Sequence, residues 1–290
     1  MAVKIVPALI GLVSLFSMSS FTPVQPLPHR QLSPENKVAS GTRISLKAGA
    51  ECAAQQKAID NANRGINALR DVYKHTLGYS NAEEVHLEGR YFCSRQAYEN
   101  YKRKLGSRSS SSTGFFSRYH REIVVMGARP EQGLQTLMHE ASHALLRSRD
   151  ANYSKWLNEG LAEYFEGASW DNSRFTINPQ RTKDRRMKQM LSQGKLPRLS
   201  TYLGLTNRQW TRLQKPAPVG SSVAWSLVYF LMENPQHHGL IRQVIRDERK
   251  GISAGTSLAK RYPGGVKALE REWHQFIRGR RQAHDWQRFA

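Results

Sequence analysis

Two stretches of this chain, HEASH at residues 139–143 and WLNEGLAEYFE at residues 156–166, predict the two helices that decide the fold. Residues four apart share one face of a helix, so His139 and His143 are placed to point both imidazoles at one metal ion. Glu159 lies on the second helix and completes a set of two histidines and one glutamate. Such a set is typical of a zinc site whose fourth position stays open. The sequence therefore predicts one Zn²⁺ ion bound by these three side chains.

Two further glutamates belong to the same pattern. Glu140 follows the first histidine on the helix, where its carboxylate reaches a water at the metal without being a ligand, and this predicts a general base. Glu163 lies four residues after Glu159, so we expect it to accept the free ring N–H of His139 or His143 and to orient that imidazole. The alternatives are a solvated charge at Glu163 and a surface helix with two solvated histidines.

These motifs resemble the gluzincin group of zinc metallopeptidases, and most closely bacterial peptidase-MA-like domains of largely unknown function. The resemblance spans roughly residues 50–278 and includes GFFSRYHREIVVMG, SSVAWSLVYFLME and RYPGGVKALEREWHQFI. It implies His139, His143 and Glu159 as ligands and Glu140 as the general base. It also implies that the strand at residues 122–126 is an edge strand that pairs with an extended peptide substrate.

One region departs from the family's pattern. Similar proteins often have a tyrosine, a candidate oxyanion donor, near the start of the helix that corresponds to residues 221–233. Here Ser221 and Ser222 occupy that region, which leaves the oxyanion donor unassigned. The nearest alternatives are Tyr229, His237 and His238, and a structural or solvated role is the simpler interpretation of each.

The fold class that these patterns predict is α+β. We expect a zincin-like domain over residues 50–290, with a small mixed sheet beside the metal helices and a C-terminal helical lobe. Residues 50–148 would form an N-terminal α/β part that includes the active-site helix, and residues 149–290 a mainly helical part. Apolar spacing predicts helices and strands in the first part, at the positions 49–79 (helix), 85–93 (strand), 94–105 (helix capped by Ser94) and 122–126 (strand).

Two other segments have less regular patterns. Residues 106–114 contain a run of four serines and form either a linker or a flap over the cleft. Everything after Asn178 is expected to be helical, with turns at residues 198–203 and 264–265.

The N-terminus predicts export. Lys4 precedes an apolar stretch of signal-peptide length at residues 5–18, and small residues favour cleavage near Ser19. We therefore expect a signal peptide over residues 1–19, a flexible lead-in over residues 20–49 and a periplasmic or secreted protein without a transmembrane span in the mature chain. An uncleaved N-terminal anchor is the alternative.

The two cysteines, Cys52 and Cys93, suit an exported protein with one disulfide. Cys52 begins the first predicted helix and Cys93 ends the strand that returns from it, so both sulfurs are expected at the same end of this unit. Two buried free thiols are the alternative.

The formal net charge is +21, and +20 once Lys4 is removed with the signal segment. Residues 181–215 hold ten Lys or Arg against one acid, and residues 239–290 hold twelve against five. Such surfaces attract polyanions, among which an anionic envelope surface suits an exported protein better than nucleic acid. A merely solvated basic face is the alternative.

The motifs and the composition together predict an exported zinc-dependent hydrolase that cleaves a peptide or protein substrate. An amide in cell-wall peptide is an equally suitable target. The alternative function is a non-catalytic envelope protein with a structural or relic metal site and a basic polyanion-binding surface. The absence of an amine-binding motif favours endopeptidase over aminopeptidase action.

Overall fold

Four strands pair into a mixed sheet in the computed structural model, which describes residues 44–79, 87–107, 109, 111–146, 153–171, 174–215 and 217–279. The strand order is β1 (Ile44–Ala48), β2 (Leu87–Phe92), β4 (Glu122–Met126) and β3 (Gly114–Ser117). β1, β2 and β4 run parallel, whereas β3 is antiparallel to β4. The predicted β4 strand is confirmed at its bounds, and its run Glu122–Val125 is buried.

The expectation that β4 is the edge strand is wrong, because β3 pairs with it on the outer side. The Met126 N–H donates to the Thr113 carbonyl at 2.7 Å, which sets the register of this hairpin. Alternate residues of an antiparallel strand point their backbone groups away from the partner. In this register those residues are Gly114 and Phe116, so the outer edge of the sheet, next to the helix Pro130–Leu146, belongs to β3.

Helices make up most of the remaining described chain, so the fold is α+β with a small mixed sheet. The predicted first helix consists of a 3-10 turn at Ala50–Gln55, an α-helix and a π turn at Val72–Thr76. The Ser94 cap is confirmed, since its hydroxyl accepts the Ala97 N–H. The α-helices among the described residues are α1 (Gln56–Asp71), α2 (Arg95–Lys104), α3 (Pro130–Leu146), α4 (Lys155–Phe165), α5 (Arg181–Ser192), α6 (Leu199–Tyr202), α7 (Asn207–Leu213), α8 (Val219–Glu233), α9 (Pro235–Arg249), α10 (Ala254–Arg261) and α11 (Gly265–Gly279).

Three local expectations need correction. Residues 44–48, assigned to the flexible lead-in, form β1, where the Leu46 N–H donates to Asn63 Oδ1 on α1. The predicted turn at 198–203 contains the short helix α6. A hairpin of β5 (Ala168–Asp171) and β6 (Arg174–Ile177), which the sequence did not predict, follows α4. The hairpin is held against α1, because Asn61 Nδ2 donates to the Trp170 carbonyl at 2.8 Å.

Helix α8 forms the centre of the helical part and determines where α4 lies. All residues from Gly220 to Met232 are buried. A Cβ atom at Gly160 would lie 2.7 Å from Val228 Cγ2 and 2.8 Å from the Ala224 carbonyl oxygen. Only glycine therefore permits this close approach of α4 and α8. The glycine of the N-E-G segment thus fixes the position of the neighbouring Glu159.

The predicted disulfide is present between Cys52 and Cys93, with a Cα–Cα distance of 5.3 Å. It joins the 3-10 turn before α1 to the residue after β2, as the lengths of the outward helix and the returning strand indicate. The two cysteines are 41 residues apart in the chain. The bond therefore connects the first helix to the sheet.

Asp247 on α9 lies in a separate buried polar cluster. Its carboxylate accepts hydrogen bonds from the Arg261 guanidinium at 2.9 Å and from the Ser257 hydroxyl at 2.7 Å. These bonds, with a further one from Gln243, hold the pKa of Asp247 at about 2. The cluster ties α9 to α10 and lies outside the cavity described below.

Within the part of the chain that is described, no helix has the length and apolar character needed to cross a membrane. The predicted signal peptide at residues 1–19 and the lead-in up to residue 43 lie outside the described residues. The described chain falls within one compact unit, residues 31–290.

Candidate metal centre and adjacent cavity

Helices α3 and α4 bring the three predicted ligands together. The Nε2 atoms of His139 and His143 lie 3.2 Å apart, and Oε2 of Glu159 is 3.7 Å from His143 Nε2. One donor atom from each of the three residues lies within 4.8 Å of the other two. All three side chains are partly buried, so the group is open to solvent on one side.

These distances fit a tetrahedral zinc site. Zinc binds histidine nitrogen and carboxylate oxygen at about 2.0–2.2 Å, and two such ligands at a tetrahedral angle lie about 3.3–3.6 Å apart. The 3.2 and 3.7 Å separations bracket this range. The residues present therefore suit one Zn²⁺ ion, with the fourth position left open.

Buried tyrosines fix α3, which carries both histidines. The Tyr73 hydroxyl lies 2.6 Å from the Ser142 hydroxyl, between the two histidine turns. The Tyr79 hydroxyl donates to the Leu146 carbonyl and thereby satisfies one of the carbonyls left unpaired at the end of the helix. Burial raises the pKa of Tyr73, so its phenol stays protonated and continues to hydrogen-bond. The histidines are thus held on a helix whose end is fixed by side chains.

Glu140 faces the cavity beside the histidines. Burial raises the pKa of Glu140 above its usual value. His139 lowers this pKa in part, and Glu159 raises it further. A hydrogen bond from the Phe116 backbone N–H also lowers it. That N–H is one of the two that point away from β4. The predicted base is therefore connected to the edge strand of the sheet.

Glu163 lies close to His139, but its hydrogen-bonded partner is Lys183 on α5. The Lys183 ammonium contacts Glu163 directly and lies 2.7 Å from Glu166 Oε2. Burial alone would raise the pKa of Glu163, but Lys183 and then His139 lower it below its usual value. Its predicted role as acceptor of an imidazole N–H remains a prediction. His139, Glu163 and Glu166 form a second group with metal-ligand spacing, and Lys183 supplies the positive charge there.

A cavity of about 280 Å³ opens in front of the first histidine. One wall carries His139 and Glu140 of α3, and another carries Arg186 of α5 with Ser221 and Ser222 at the start of α8. The other lining residues are Ser111, Thr113, Thr136, Glu163, Glu166, Lys183 and Pro218. The pair of serines that departs from the family's pattern therefore faces the candidate site.

The serine-rich segment contributes two of these lining residues, Ser111 and Thr113. The Ser111 carbonyl accepts hydrogen bonds from the Tyr98 hydroxyl and the Lys102 ammonium, both on α2. The Ser111 hydroxyl accepts the Gly114 N–H. The segment thus forms part of the cavity wall, and its role as a flap remains a prediction. Arg108 and Ser110 lie outside the described residues.

The other aromatic and histidine candidates lie outside the cavity. Tyr229 is buried against Tyr164 and Trp225. His237 packs between aromatic rings, and His238 contacts the Met232 carbonyl through Nε2. These contacts support the structural interpretation of all three side chains. Tyr202, from α6, approaches the start of α8, but its buried hydroxyl donates to the Gly220 carbonyl at 2.7 Å.

Sequence reasoning missed Lys183, Arg186 and Glu166. The first two are three residues apart, which places them on one face of α5. That spacing was visible in the chain, but the segment holds ten basic residues and nothing local shows which of them meet the cavity. Their position depends on the packing of α5 against α8.

Comparison with known families gives one match. A family described as "Protein of unknown function (DUF1570)" matches residues 133–251, which is less than half of the chain. The match contains the three candidate ligands, Glu140, Arg186, the two serines and the β5–β6 hairpin, but not the four-stranded sheet. No curated protein matches the chain, and no solved structure matches it. The resemblance to gluzincins therefore remains a prediction from the motifs.

Proposed function

We propose that this protein is an exported zinc-dependent hydrolase of the gluzincin type, most simply a peptidase. The observation that carries the proposal is the convergence of His139 Nε2, His143 Nε2 and Glu159 Oε2 at zinc-ligand spacing. A carboxylate that is not part of this set, Glu140, faces the adjacent cavity. A purely structural zinc site has no use for a base in that position.

The chemistry divides between the ion and the chain. When bound, zinc would supply a Lewis acid that activates water and polarises a carbonyl group. Glu140 would take the proton of the attacking water at its carboxylate and pass it to the leaving amine. Its raised pKa supports this role, because a base must also be able to hold the proton it has taken. Glu163, which is ion-paired with Lys183, would keep its negative charge and so hold the electrostatic potential at His139 constant.

The edge strand for the substrate would be β3 in place of β4. An extended peptide adds to a sheet through backbone hydrogen bonds, and β3 offers the outward groups of Gly114 and Phe116. Both of the outward N–H groups already have partners in the structure. The Gly114 N–H donates to the Ser111 hydroxyl, and the Phe116 N–H donates to Glu140. Peptide pairing would therefore use the outward carbonyls first.

Metal analysis combined with a mixed peptide library tests the proposal. Purified wild-type protein should contain about one zinc per chain and cleave members of the library. Glu140→Gln should keep the zinc and abolish cleavage, so activity in this variant would refute the role of the base. His143→Ala should lose the zinc, and an unchanged zinc content would refute the ligand set.

A non-catalytic envelope protein is the second candidate function. Two observations favour it: the serines that stand where a tyrosine is expected, and the basic residues of the helical part, which suit an anionic envelope surface. Bound zinc together with no cleavage of any peptide, including cell-wall peptide, would support this candidate over the hydrolase. Export to the periplasm or the exterior belongs to both candidates and agrees with the disulfide.

A further inference from the structure

The cavity wall formed by α5 and α8 carries a guanidinium group beside the two serines that depart from the family's pattern. Arg186 Nη1 donates to the Ser222 hydroxyl oxygen at 2.9 Å. The Ser222 hydroxyl in turn donates to the Pro218 carbonyl at 2.8 Å, so its own proton is not available to a ligand. Ser221 accepts a hydrogen bond from Gln214 Nε2 at 2.7 Å. Arg186 is therefore a charged donor on this wall, and its guanidinium is hydrogen-bonded to Ser222.

Lys183 and Arg186 both line the cavity, but only the Lys183 charge is neutralised by carboxylates of the described residues. Lys183 is paired with two carboxylates, Glu163 and Glu166. Among the described residues, no carboxylate oxygen lies within the 4.0 Å of an ion pair from the Arg186 guanidinium. The side chain of Arg186 is partly buried, so water neutralises its charge only in part. The positive charge on this wall thus has no anionic partner within the described chain.

A guanidinium has five N–H donors arranged as a planar fork, and this shape matches the two oxygens of a carboxylate. One of these donors is used by Ser222, which leaves donors for a ligand. The cavity, about 280 Å³, is slightly smaller than typical small-ligand sites, which measure about 300–1,000 Å³. It therefore suits a single amino-acid residue or a chain end rather than a polymer surface.

We propose that Arg186, positioned by Ser222, binds a carboxylate of the substrate and makes this site selective for peptides that carry a negative charge next to the bond cleaved. This inference rests on the proposed peptidase function and names its substrate class. The carboxylate is either the side chain of an Asp or Glu residue or the free C-terminus of the peptide. Both sources present the same two oxygens to the fork.

A binding measurement distinguishes a side-chain carboxylate from a C-terminal carboxylate, and it does not require the protein to cleave the peptide. The Glu140→Gln protein, loaded with zinc, is dialysed to equilibrium against three randomised hexapeptide pools, and retained peptides are identified by mass spectrometry. The first pool has a free C-terminal carboxylate and no Asp or Glu; the second is amidated with one Asp or Glu; the third is amidated and has neither. We expect retention of one carboxylate pool to exceed that of the neutral pool by about tenfold, equivalent to roughly 1.4 kcal/mol.

Three changes at α5 complete the test. Arg186→Gln should remove the preference, and Arg186→Lys should keep part of it, because lysine retains the charge but not the fork. Arg185→Gln, at the exposed neighbouring residue, should leave the preference unchanged. Thermal unfolding and zinc content of each variant show whether the fold and the metal group are intact.

Equal retention of the three pools, retention of none, or an unchanged preference in folded Arg186→Gln would overturn the proposal. The outcome is separate from that of the hydrolase. Wild-type protein that cleaves neutral and acidic peptides equally would keep the peptidase and exclude this selectivity. A carboxylate preference that depends on Arg186, in a protein that cleaves nothing, would keep the binding site and exclude the peptidase.

Discussion

The two walls of the cavity differ in how far apart along the chain their residues lie. The histidine wall is built from α3 and α4, whose functional side chains follow helical spacing within 25 residues of chain, from His139 to Glu163. The other wall combines α5 with the start of α8, and its contact between Arg186 and Ser222 spans 36 residues. A sequence motif thus predicts the first wall, whereas the second wall forms only because α5 and α8 pack together. The first carries the candidate metal ligands, and the second carries the Arg186 guanidinium, which has no carboxylate partner among the described residues.

The largest expected effect is a loss of bound zinc that occurs when the histidine wall is changed but not when the other wall is changed. Glu159→Ala removes one of three ligands and should reduce zinc from about one ion per chain to almost none after dialysis against a weak chelator. Arg186→Gln, on the other wall, should keep the full complement, because its guanidinium touches no ligand. Elemental analysis of both proteins checks this. Equal losses of zinc would mean that the walls are not independent.

Lys183 connects the two walls, and its removal should lower the free energy of unfolding. Lys183→Met leaves Glu163 and Glu166 close together without the ammonium between them, at an expected cost of about 2–4 kcal/mol. Arg185→Met is the matched control on the same helix, since Arg185 is exposed and its replacement should cost no more than about 0.5 kcal/mol. Urea unfolding measures both. Similar values for the two variants would contradict the structural role given to Lys183.

Gly160→Ala tests how the histidine wall is held. The added methyl group meets the Ala224 carbonyl and Val228, so we expect a loss of about 1–3 kcal/mol in stability. Because Glu159 is the adjacent residue, zinc affinity should fall as well. Gly204→Ala offers a control, since a Cβ there has only one neighbour, at 3.8 Å. A normal zinc affinity in folded Gly160→Ala would show that α4 tolerates displacement.

The smallest effect is expected at a carboxylate that belongs to neither wall. The lowered pKa of Asp247, about 2 against an ordinary 3.8, means that its charged form stabilises the fold. This contribution is present above about pH 4 and is lost as the pH falls towards 2; allowing for solvent screening, it amounts to about 1–2 kcal/mol. Asp247→Asn should therefore lower stability at pH 7 but not at pH 2, with zinc binding at pH 7 unchanged. Chemical denaturation across this range is the measurement.

The fold could be predicted where the pattern is local. The helices around His139 and Glu159, the strand β4 and the Ser94 cap all follow from spacing or from a single capping side chain. The edge position of β3 could not be read from the chain, because the place of a strand in a sheet depends on its partners. β1 was missed for the same reason: five residues beside a Pro- and Ser-rich stretch become a strand only when β2 supplies the ladder.

The candidate site shows the same division. The convergence of His139, His143 and Glu159 was predictable because the three residue types stand at fixed spacing on two helices. The partner of Glu163 was not, since Lys183 is one of ten basic residues between positions 181 and 215. Only the packing of α5 shows which of those charges enters the cavity and which lie at the surface.

The bond between Cys52 and Cys93 has a practical consequence for how the protein is produced. Closing a loop of this length is worth about 4 kcal/mol in the chain-entropy model, a large part of the roughly 5–15 kcal/mol that stabilises a typical domain. Expression in a reducing cytosol would leave both thiols free, so the material obtained there would be less stable from the outset. An inactive or metal-poor preparation from such a host would report on the redox state of the host. Thiol titration should therefore precede every zinc measurement described above.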